Sequence, residues 1–211
     1  MDELTYFDKE DLPVLKASYM SIKNRANLEI VKDPSKQNEI FQKFVGVLNI
    51  HHSATLSIVN LFKMTLSSGS FYIAQCIVDF GYPVGNKLEQ NLTRKYEYQL
   101  IGYALSTIDF GETLLRPETK TDKLVSRFFD KDIDFDTTSR FNDKYYLVSN
   151  KEKLVREYFN RGVLEVISKV DNLHLMTKDN EIFLLFDTDL KPQQSRAIED
   201  IFTNMGYLDT R

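Results

Sequence analysis

The stretch ATLSIVNLFKMTLSSGSFYIAQCIVDF, residues 54–80, decides the fold, because apolar and polar side chains alternate along it. Neighbouring strand residues point to opposite faces, so this alternation predicts a half-buried strand beginning at about residue 54. SSGS predicts a turn, residues 71–80 a returning strand, and residues 94–109 a third strand. Three strands in succession are typical of an antiparallel meander with one covered face. The predicted buried residues of its first strand are Leu56, Ile58, Phe62, Met64 and Leu66.

Helix signals lie on both sides of these strands. Apolar residues at helical spacing predict a helix at about 12–25, and Asp33 followed by Pro34 predicts the start of a second helix. A short helix is predicted at Thr121–Phe129. Ser149 with Glu152 forms the pattern of a capping box, which would open a helix carrying Arg156.

Further strands are predicted at 133–135 and 144–148 and in a hairpin within 173–186, followed by a closing helix from Pro192. Strands and helices do not alternate regularly along the chain. The pattern therefore favours an α+β fold with an antiparallel sheet of five or more strands and helices mainly on one face. We expect an N-terminal helical segment at 1–50 and an α+β domain at 51–211, together forming one compact unit.

Composition and charge restrict the class of partner and the compartment. The 211 residues carry a net charge of −4, and no basic run marks a nucleic-acid surface, so no nucleic-acid partner is expected. Cys76 is the single cysteine, which excludes an intramolecular disulfide and fits a reducing compartment. The N-terminus MDELTYFDKEDLP lacks the apolar core of a signal peptide, and no window is long enough to span a membrane. These features predict a cytoplasmic protein.

An acidic pattern at 130–136 is the one candidate metal site. Asp130, Asp132, Asp134 and Asp136 alternate with other residues, so in a strand the four carboxylates would share one face and could hold a hard cation. The pattern lacks the glycine and glutamate that a calcium-binding loop requires at its sixth and twelfth positions. A solvated edge strand that repels other strands explains the same pattern. Both interpretations stay open at this point.

Catalytic signatures are absent from the sequence. His51, His52 and His174 have neither zinc-ligand spacing nor a cysteine partner, and no nucleophile motif is present. We therefore predict no catalytic residue and no cofactor, and whether the chain is an enzyme stays open, with a non-enzyme favoured. Asp134 and Arg156 are predicted to form a structural ion pair, because their elements are expected to be neighbours.

Three short motifs carry a resemblance to a known family. Residues 132–135 (DIDF), then Phe141-x-x-x-Tyr145 with Leu147, then Val155-Arg156-x-x-Phe159 resemble a bacterial family of conserved hypothetical proteins. The resemblance covers about residues 70–205. This chain has Asn142 where the family usually has serine, and it lacks the transmembrane helices with which many members begin. The family has no assigned activity, so the resemblance implies the fold and a domain that works near membranes or within a larger assembly.

Three functional hypotheses follow from the sequence, and one of them is a subunit whose strand edge pairs with a copy of itself. The first is a non-enzymatic cytosolic interaction or accessory domain that binds a protein partner or a second copy of itself, with Tyr96, Tyr98 and Tyr103 as exposed aromatic candidates on one strand. The alternative is a metal-dependent enzyme, such as a hydrolase, that uses Asp132, Asp134 and Asp136. Stabilisation by a divalent metal would distinguish them, because a ligand that binds only the folded state stabilises it.

Overall fold

The computed structural model describes residues 12–23, 25, 27–48, 54–80, 95–119, 132–136, 139–186 and 188–209. In chain order its elements are α1 (Leu12–Lys23), β1 (Leu28–Ile30), α2 (Pro34–Leu48), β2 (Ala54–Leu66), β3 (Gly69–Phe80), β4 (Lys95–Leu105), β5 (Thr113–Pro117), α3 (Ser139–Asn142), β6 (Tyr145–Ser149), α4 (Glu152–Tyr158), α5 (Arg161–Lys169), β7 (Leu173–Lys178), β8 (Glu181–Phe186) and α6 (Pro192–Met205).

The strands form one sheet in the order β1-β2-β3-β4-β8-β7-β5-β6, and every neighbouring pair is antiparallel. The hairpin β7–β8 lies between β4 and β5, so β5 and β6 are placed at the far end of the sheet from β1. The predicted α+β fold with an antiparallel sheet of at least five strands is confirmed.

Helices lie mainly on one face of this sheet, as predicted. Buried side chains of α1, α3, α4, α5 and α6 share one core with the strands, and we call this side the first face. On the opposite side, the second face, Ile40 and Phe44 of α2 pack over a smaller core. Among the described helices, α2 alone lies on the second face.

A β-bulge at Val59 divides β2 between the two faces. Ile58 pairs with Cys76 and Asn60 pairs with Gln75, so Val59 is one extra residue in β2. Leu56 and Ile58 therefore pack on the second face, whereas Phe62, Met64 and Leu66 pack on the first. The prediction that all five lie on one face is wrong, because one inserted residue reverses the side to which each later side chain points. The central strands are covered on both faces.

The N-terminal helices pack on the rest of the chain. Leu15 and Ile22 of α1 lie in the first-face core beside α6. The hydroxyl groups of Ser21 and Ser195 are 3.0 Å apart, and Arg25 forms an ion pair with Glu199. The predicted division near residue 50 stays a prediction, since 49–53 lie outside the described residues.

Helix ends agree with the sequence in part. Asp33 Oδ1 accepts the Ser35 N–H at 2.9 Å beside the start of α2, and Gly206 ends α6 with a left-handed φ of 70°. The predicted cap at Ser149 is wrong. Ser149 is the last residue of β6, and its hydroxyl accepts the N–H of Lys151, which is itself the N-cap of α4. The helix predicted at Thr121–Phe129 lies outside the described residues.

Candidate functional site

The helix α2 covers the half of the second face formed by β2, β3, β4 and β8. The Phe44 ring lies 6.2 Å from the ring of Tyr103 and 6.3 Å from that of Phe183. Tyr103 and Phe183 are 5.2 Å apart, and all three side chains are buried. Edge-to-face and tilted ring pairs at such distances add to the stabilisation from burial. We call this half, with α2, the covered half.

An ion pair holds α2 at the boundary between β4 and β8. The Lys43 Nζ lies 2.5 Å from Glu181 Oε1, and the Tyr103 hydroxyl donates to the same oxygen at 3.2 Å. Burial raises the pKa of Tyr103, and the charge of the Glu181 carboxylate raises it further, so this hydroxyl remains a donor. These contacts fix how far α2 extends across the sheet.

Beyond β8 the second face carries no helix from the described part of the chain. The exposed strands β7, β5 and β6 form the floor of an open groove of about 820 Å³. Its apolar floor residues, Leu114, Tyr146, Val148 and Met176, are half-buried, whereas their neighbours Leu115, Leu147 and Leu175 are buried on the first face. We call this surface the open groove. Gly46 of α2 forms its wall, and Glu112 and Lys178 lie at its margin.

Strand register brings the floor of the open groove together. Leu114 of β5 pairs with Val148 of β6 on one side and with Met176 of β7 on the other. The Arg116 guanidinium lies 4.9 Å from the centre of the Tyr146 ring, over its face. At Gly46 an added Cβ would meet no atom within 4 Å. The groove therefore offers a continuous apolar strip with space above it.

The segment that contains the acidic pattern lies along the outer side of β6, and the prediction of a strand at 133–135 is wrong. Asp132 Oδ1 accepts the Leu147 N–H at 2.8 Å, and the Ile133 N–H donates to the Leu147 carbonyl at 2.8 Å. Asn142 donates to the Phe135 carbonyl at 3.0 Å and accepts the Phe135 N–H at 3.1 Å. The Asp132 carboxylate thus accepts the hydrogen bond that a main-chain carbonyl would accept in a regular strand. The segment therefore forms no regular ladder of main-chain hydrogen bonds with β6.

The three described carboxylates of this segment lie in different environments. Asp132 is half-buried and Asp134 and Asp136 are exposed, with Ile133 and Phe135 buried on the opposite side. Burial raises the pKa of Asp132, and the charges of Asp134 and Glu118 raise it further, against the effect of the Leu147 N–H. Within the described ranges, no group of three or more His, Cys, Asp or Glu side chains could hold a metal ion. Asp130 lies outside these ranges.

Arg156 contacts the acidic segment through the main chain. Its Nη1 donates to the Asp134 carbonyl at 2.5 Å, and its Nε binds the Glu152 carboxylate at 2.8 Å, one helical turn away. The guanidinium also lies 5.8 Å from the centre of the Phe135 ring. The two residues are neighbours as expected, while an ion pair between the Asp134 and Arg156 side chains stays a prediction. Asp134 and Arg156 are both exposed, so a pair here would contribute about 0–1 kcal/mol.

Other candidates from the sequence lie away from the open groove. Tyr103 is buried rather than exposed, because its strand is covered by α2, and Tyr98 packs half-buried against the first-face core. The Tyr96 side chain lies outside the described part of the chain, as do His51 and His52. Cys76 is fully buried, and burial raises the pKa of its thiol. His174 is half-buried and lies on the second face of β7, between the buried residues Leu173 and Leu175.

A second cavity, of about 370 Å³, lies between α5, α6 and the turn before β7. Its lining mixes the cations Lys169, Lys191 and Arg196 with the anions Asp171 and Asp200. The Lys144 Nζ lies 2.6 Å from Asp171 Oδ1, and this hydrogen bond lowers the pKa of that carboxyl. The mixture of charges gives this cavity no preference for either sign of ligand.

Fold and site together define an α+β protein with an antiparallel sheet. Within the described residues, helices cover one face of the sheet and α2 covers half of the other. None of the described helices is long and apolar enough to cross a membrane. Comparison of the chain with family models, with characterised proteins and with solved structures finds no match. The resemblance noted from the sequence stays a prediction.

Proposed function

We propose that this chain is a non-enzymatic accessory domain that binds a partner protein through the open groove, and that the partner supplies an apolar helix. The observation that carries the proposal is the half-buried strip of Leu114, Tyr146, Val148 and Met176 beside the covered half. A contiguous apolar patch with a polar margin is typical of a protein-interaction site.

The dimensions of the groove favour a helix as the occupant. Strands lie about 4.8 Å apart, so the outer two of the three floor strands are separated by about 10 Å. A helix with its side chains is about 10–12 Å across and packs about 8–10 Å from a neighbouring helix. A partner helix would therefore cover β7, β5 and β6 as α2 covers the other half of this face.

The flank of α2 is suited to a second helix beside it. Gly46 has no side chain and open space above it, so a neighbouring backbone can approach closely at that point. This feature is explained if a helix packs against the C-terminal part of α2.

A thiol-labelling experiment tests whether the groove is open in the isolated protein. The wild type is the blank, because its single cysteine, Cys76, is fully buried. Val148→Cys should react with a maleimide at a rate close to that of an exposed control, Asn38→Cys on α2. Protection of Val148→Cys in the isolated protein would mean that the groove is already filled, and would overturn the proposal.

A binding experiment tests the nature of the occupant. The probe is a displayed library of amphipathic helical peptides, from which binders to the wild type are selected. Gly46→Leu adds a side chain at the wall of the groove, where its Cβ would meet no atom within 4 Å, and should weaken these binders at least tenfold. Asn38→Leu, an exposed position about 12 Å along the same helix, should leave their affinity unchanged. Binders that ignore Gly46→Leu, or that are recovered only as extended peptides, would refute a helix-binding groove.

A further inference from the structure

The strand β6 is the last in the sheet order, and its outer edge is occupied by the acidic segment. Leu147, the central residue of β6, directs its N–H and its C=O away from β5, since both bind residues of that segment. Asp132 Oδ1 takes the N–H and the Ile133 N–H takes the carbonyl, each at 2.8 Å. Residues 132–135 are called the edge cover below.

Side chains hold the edge cover in place to a large extent. Asp132 supplies one of the two hydrogen bonds to Leu147, and Asn142 binds both main-chain groups of Phe135. Arg156 donates to the Asp134 carbonyl. A regular neighbouring strand would need none of these side chains, because its own main chain would satisfy the edge. Loss of these polar side chains therefore weakens the edge cover without altering the sequence of β6, while Ile133 and Phe135 remain its anchors in the first-face core.

We infer that β6 is a covered pairing edge, and that the strand it accepts when the edge cover is removed is β6 of a second copy of this chain. A residue with both main-chain groups at an open edge can exchange two hydrogen bonds with the same residue of an antiparallel copy. Leu147 lies at the centre of β6, so two copies related by a twofold axis would pair along the whole strand. Uncovered strand edges are well-known templates for such pairing.

The test compares oligomeric states by light scattering after size-exclusion chromatography. The double variant Asp132→Ala/Asn142→Ala removes the side-chain acceptor of the Leu147 N–H and both hydrogen bonds between Asn142 and the Phe135 main chain. It should give a concentration-dependent dimer. Asp136→Ala is the matched control, because it removes the same charge from an exposed position of the segment. The control and the wild type should remain monomeric at the same concentrations. Asp132→Asn keeps an acceptor oxygen and should also remain monomeric.

Hydrogen exchange at the Leu147 amide links the dimer to β6. This amide should exchange slowly in the wild type, at least tenfold faster in the dilute double variant, and slowly again when that variant dimerises. If the double variant does not fold, Asp132→Ala alone decides the question at higher concentration, since it leaves Asn142 in place. Folded variants that stay monomeric, a dimer that leaves the Leu147 amide exposed, or an equal dimer in Asp136→Ala would each overturn the inference.

Discussion

The covered half and the open groove lie on the same face of the same sheet, yet they use different side chains. Under α2 the strands present Tyr103 and Phe183, which are buried against Phe44, and Tyr72, whose ring packs beside that of Tyr103. In the open groove the floor is built from Leu114, Val148, Met176 and one tyrosine, all half-buried. Because hydrophobic stabilisation grows with the apolar area removed from water, the two halves contribute very differently to the folded state.

Among the described residues, the second core ends where α2 ends. Successive residues of β3 and β4 are buried, at 71–76 and 100–104, whereas β5, β6 and β7 alternate between buried and less buried residues. Lys43 and Glu181 hold α2 over the β4–β8 boundary, and beyond it the described chain supplies no further cover. The four predictions below test this difference, from the largest expected effect to the smallest.

Removal of a large ring from the covered half should have the largest effect. Phe44→Ala deletes a side chain with 0% exposure and should lower the free energy of unfolding by about 3–5 kcal/mol, through lost burial and a cavity. Val148→Ala in the open groove should cost about 1 kcal/mol or less, because much of that side chain is already in water. Urea unfolding of both variants measures the contrast. Equal costs would show that the two halves are equally buried in solution.

Substitution by a polar atom of nearly the same size should also destabilise the covered half more than the open groove. The loss of unfolding free energy should be smaller than for Phe44→Ala. Cys76→Ser places a hydroxyl in the second-face core and should cost about 1–3 kcal/mol, because that site is fully buried. Val148→Thr places a hydroxyl at the open groove, where water can reach it, and should stay within about 0.5 kcal/mol of the wild type. Thermal unfolding of the matched pair checks this, and a costly Val148→Thr would contradict an open groove.

Loss of the ion pair between Lys43 of α2 and Glu181 should lower the free energy of unfolding by a smaller amount again. Glu181→Gln removes the charge opposite Lys43 but keeps an oxygen for the Tyr103 hydroxyl, so the expected loss is about 1 kcal/mol. The loss should shrink as salt is added, because Lys43 is 41% exposed and the pair is partly screened. Glu39→Gln, which breaks the more exposed pair with Lys36, is the control and should have almost no effect. A loss that does not depend on salt would argue against an ion-pair anchor.

The smallest expected effect concerns Asp132, whose carboxylate binds the Leu147 N–H at the outer edge of β6. Its pKa is raised in the folded state above the ordinary 3.8, first by burial, so the folded state holds this proton more tightly than the unfolded state. The resulting stabilisation is fully present below pH 3.8 and is lost as the pH rises through the folded pKa. Asp132→Asn should therefore be neutral or slightly stabilising at neutral pH, and this advantage should disappear in acid.

The control for this prediction has the opposite sign. The hydrogen bond from Lys144 lowers the pKa of Asp171, so its contribution is present above the ordinary pKa and is lost as the pH falls. Asp171→Asn should be slightly destabilising at neutral pH. Unfolding free energies of both variants, measured at several pH values, give the pH dependence of stability that each carboxyl contributes. An Asp132→Asn variant that is less stable than the wild type at neutral pH would contradict the prediction for Asp132.

Most helices and strands could be predicted from the sequence, and two short strands could not. The hairpin of β2 and β3 follows from the pattern of residues 54–80, and the starts of α2 and α6 follow from Pro34 and Pro192. The five-residue strand β6 was also predicted, at 144–148. The strands β1 and β5 were missed, because three and five residues are too few to define a period without a further signal. This omission hid the open groove, since β5 lies at its centre and pairs with both β6 and β7.

The acidic segment shows a different kind of limit. Its described side chains alternate, since Ile133 and Phe135 are buried and Asp134 and Asp136 are exposed. The alternation alone did not decide between a metal site and a solvated edge. It could not predict that Asp132 would bind the main chain of β6, because that depends on a neighbour fifteen residues away. Similarly, the Ser149 hydroxyl lies 2.8 Å from that of Thr113, across the β5–β6 pair, and the helix after it begins only at Glu152.

Local chemistry in the sequence determined which residues are apolar, where most helices and strands begin and end, and that the fold is α+β with an antiparallel sheet. Those properties depend on the period of side chains along the backbone and on glycine, proline and capping residues, which act over a few positions. The tertiary structure alone decided that Val59 reverses the faces of β2, that α2 stops at β8 and that residues 132–135 cover β6. Each of these depends on contacts between segments that are distant in the chain. Such contacts form only when the strands have paired, so a pattern within a few residues does not reveal them.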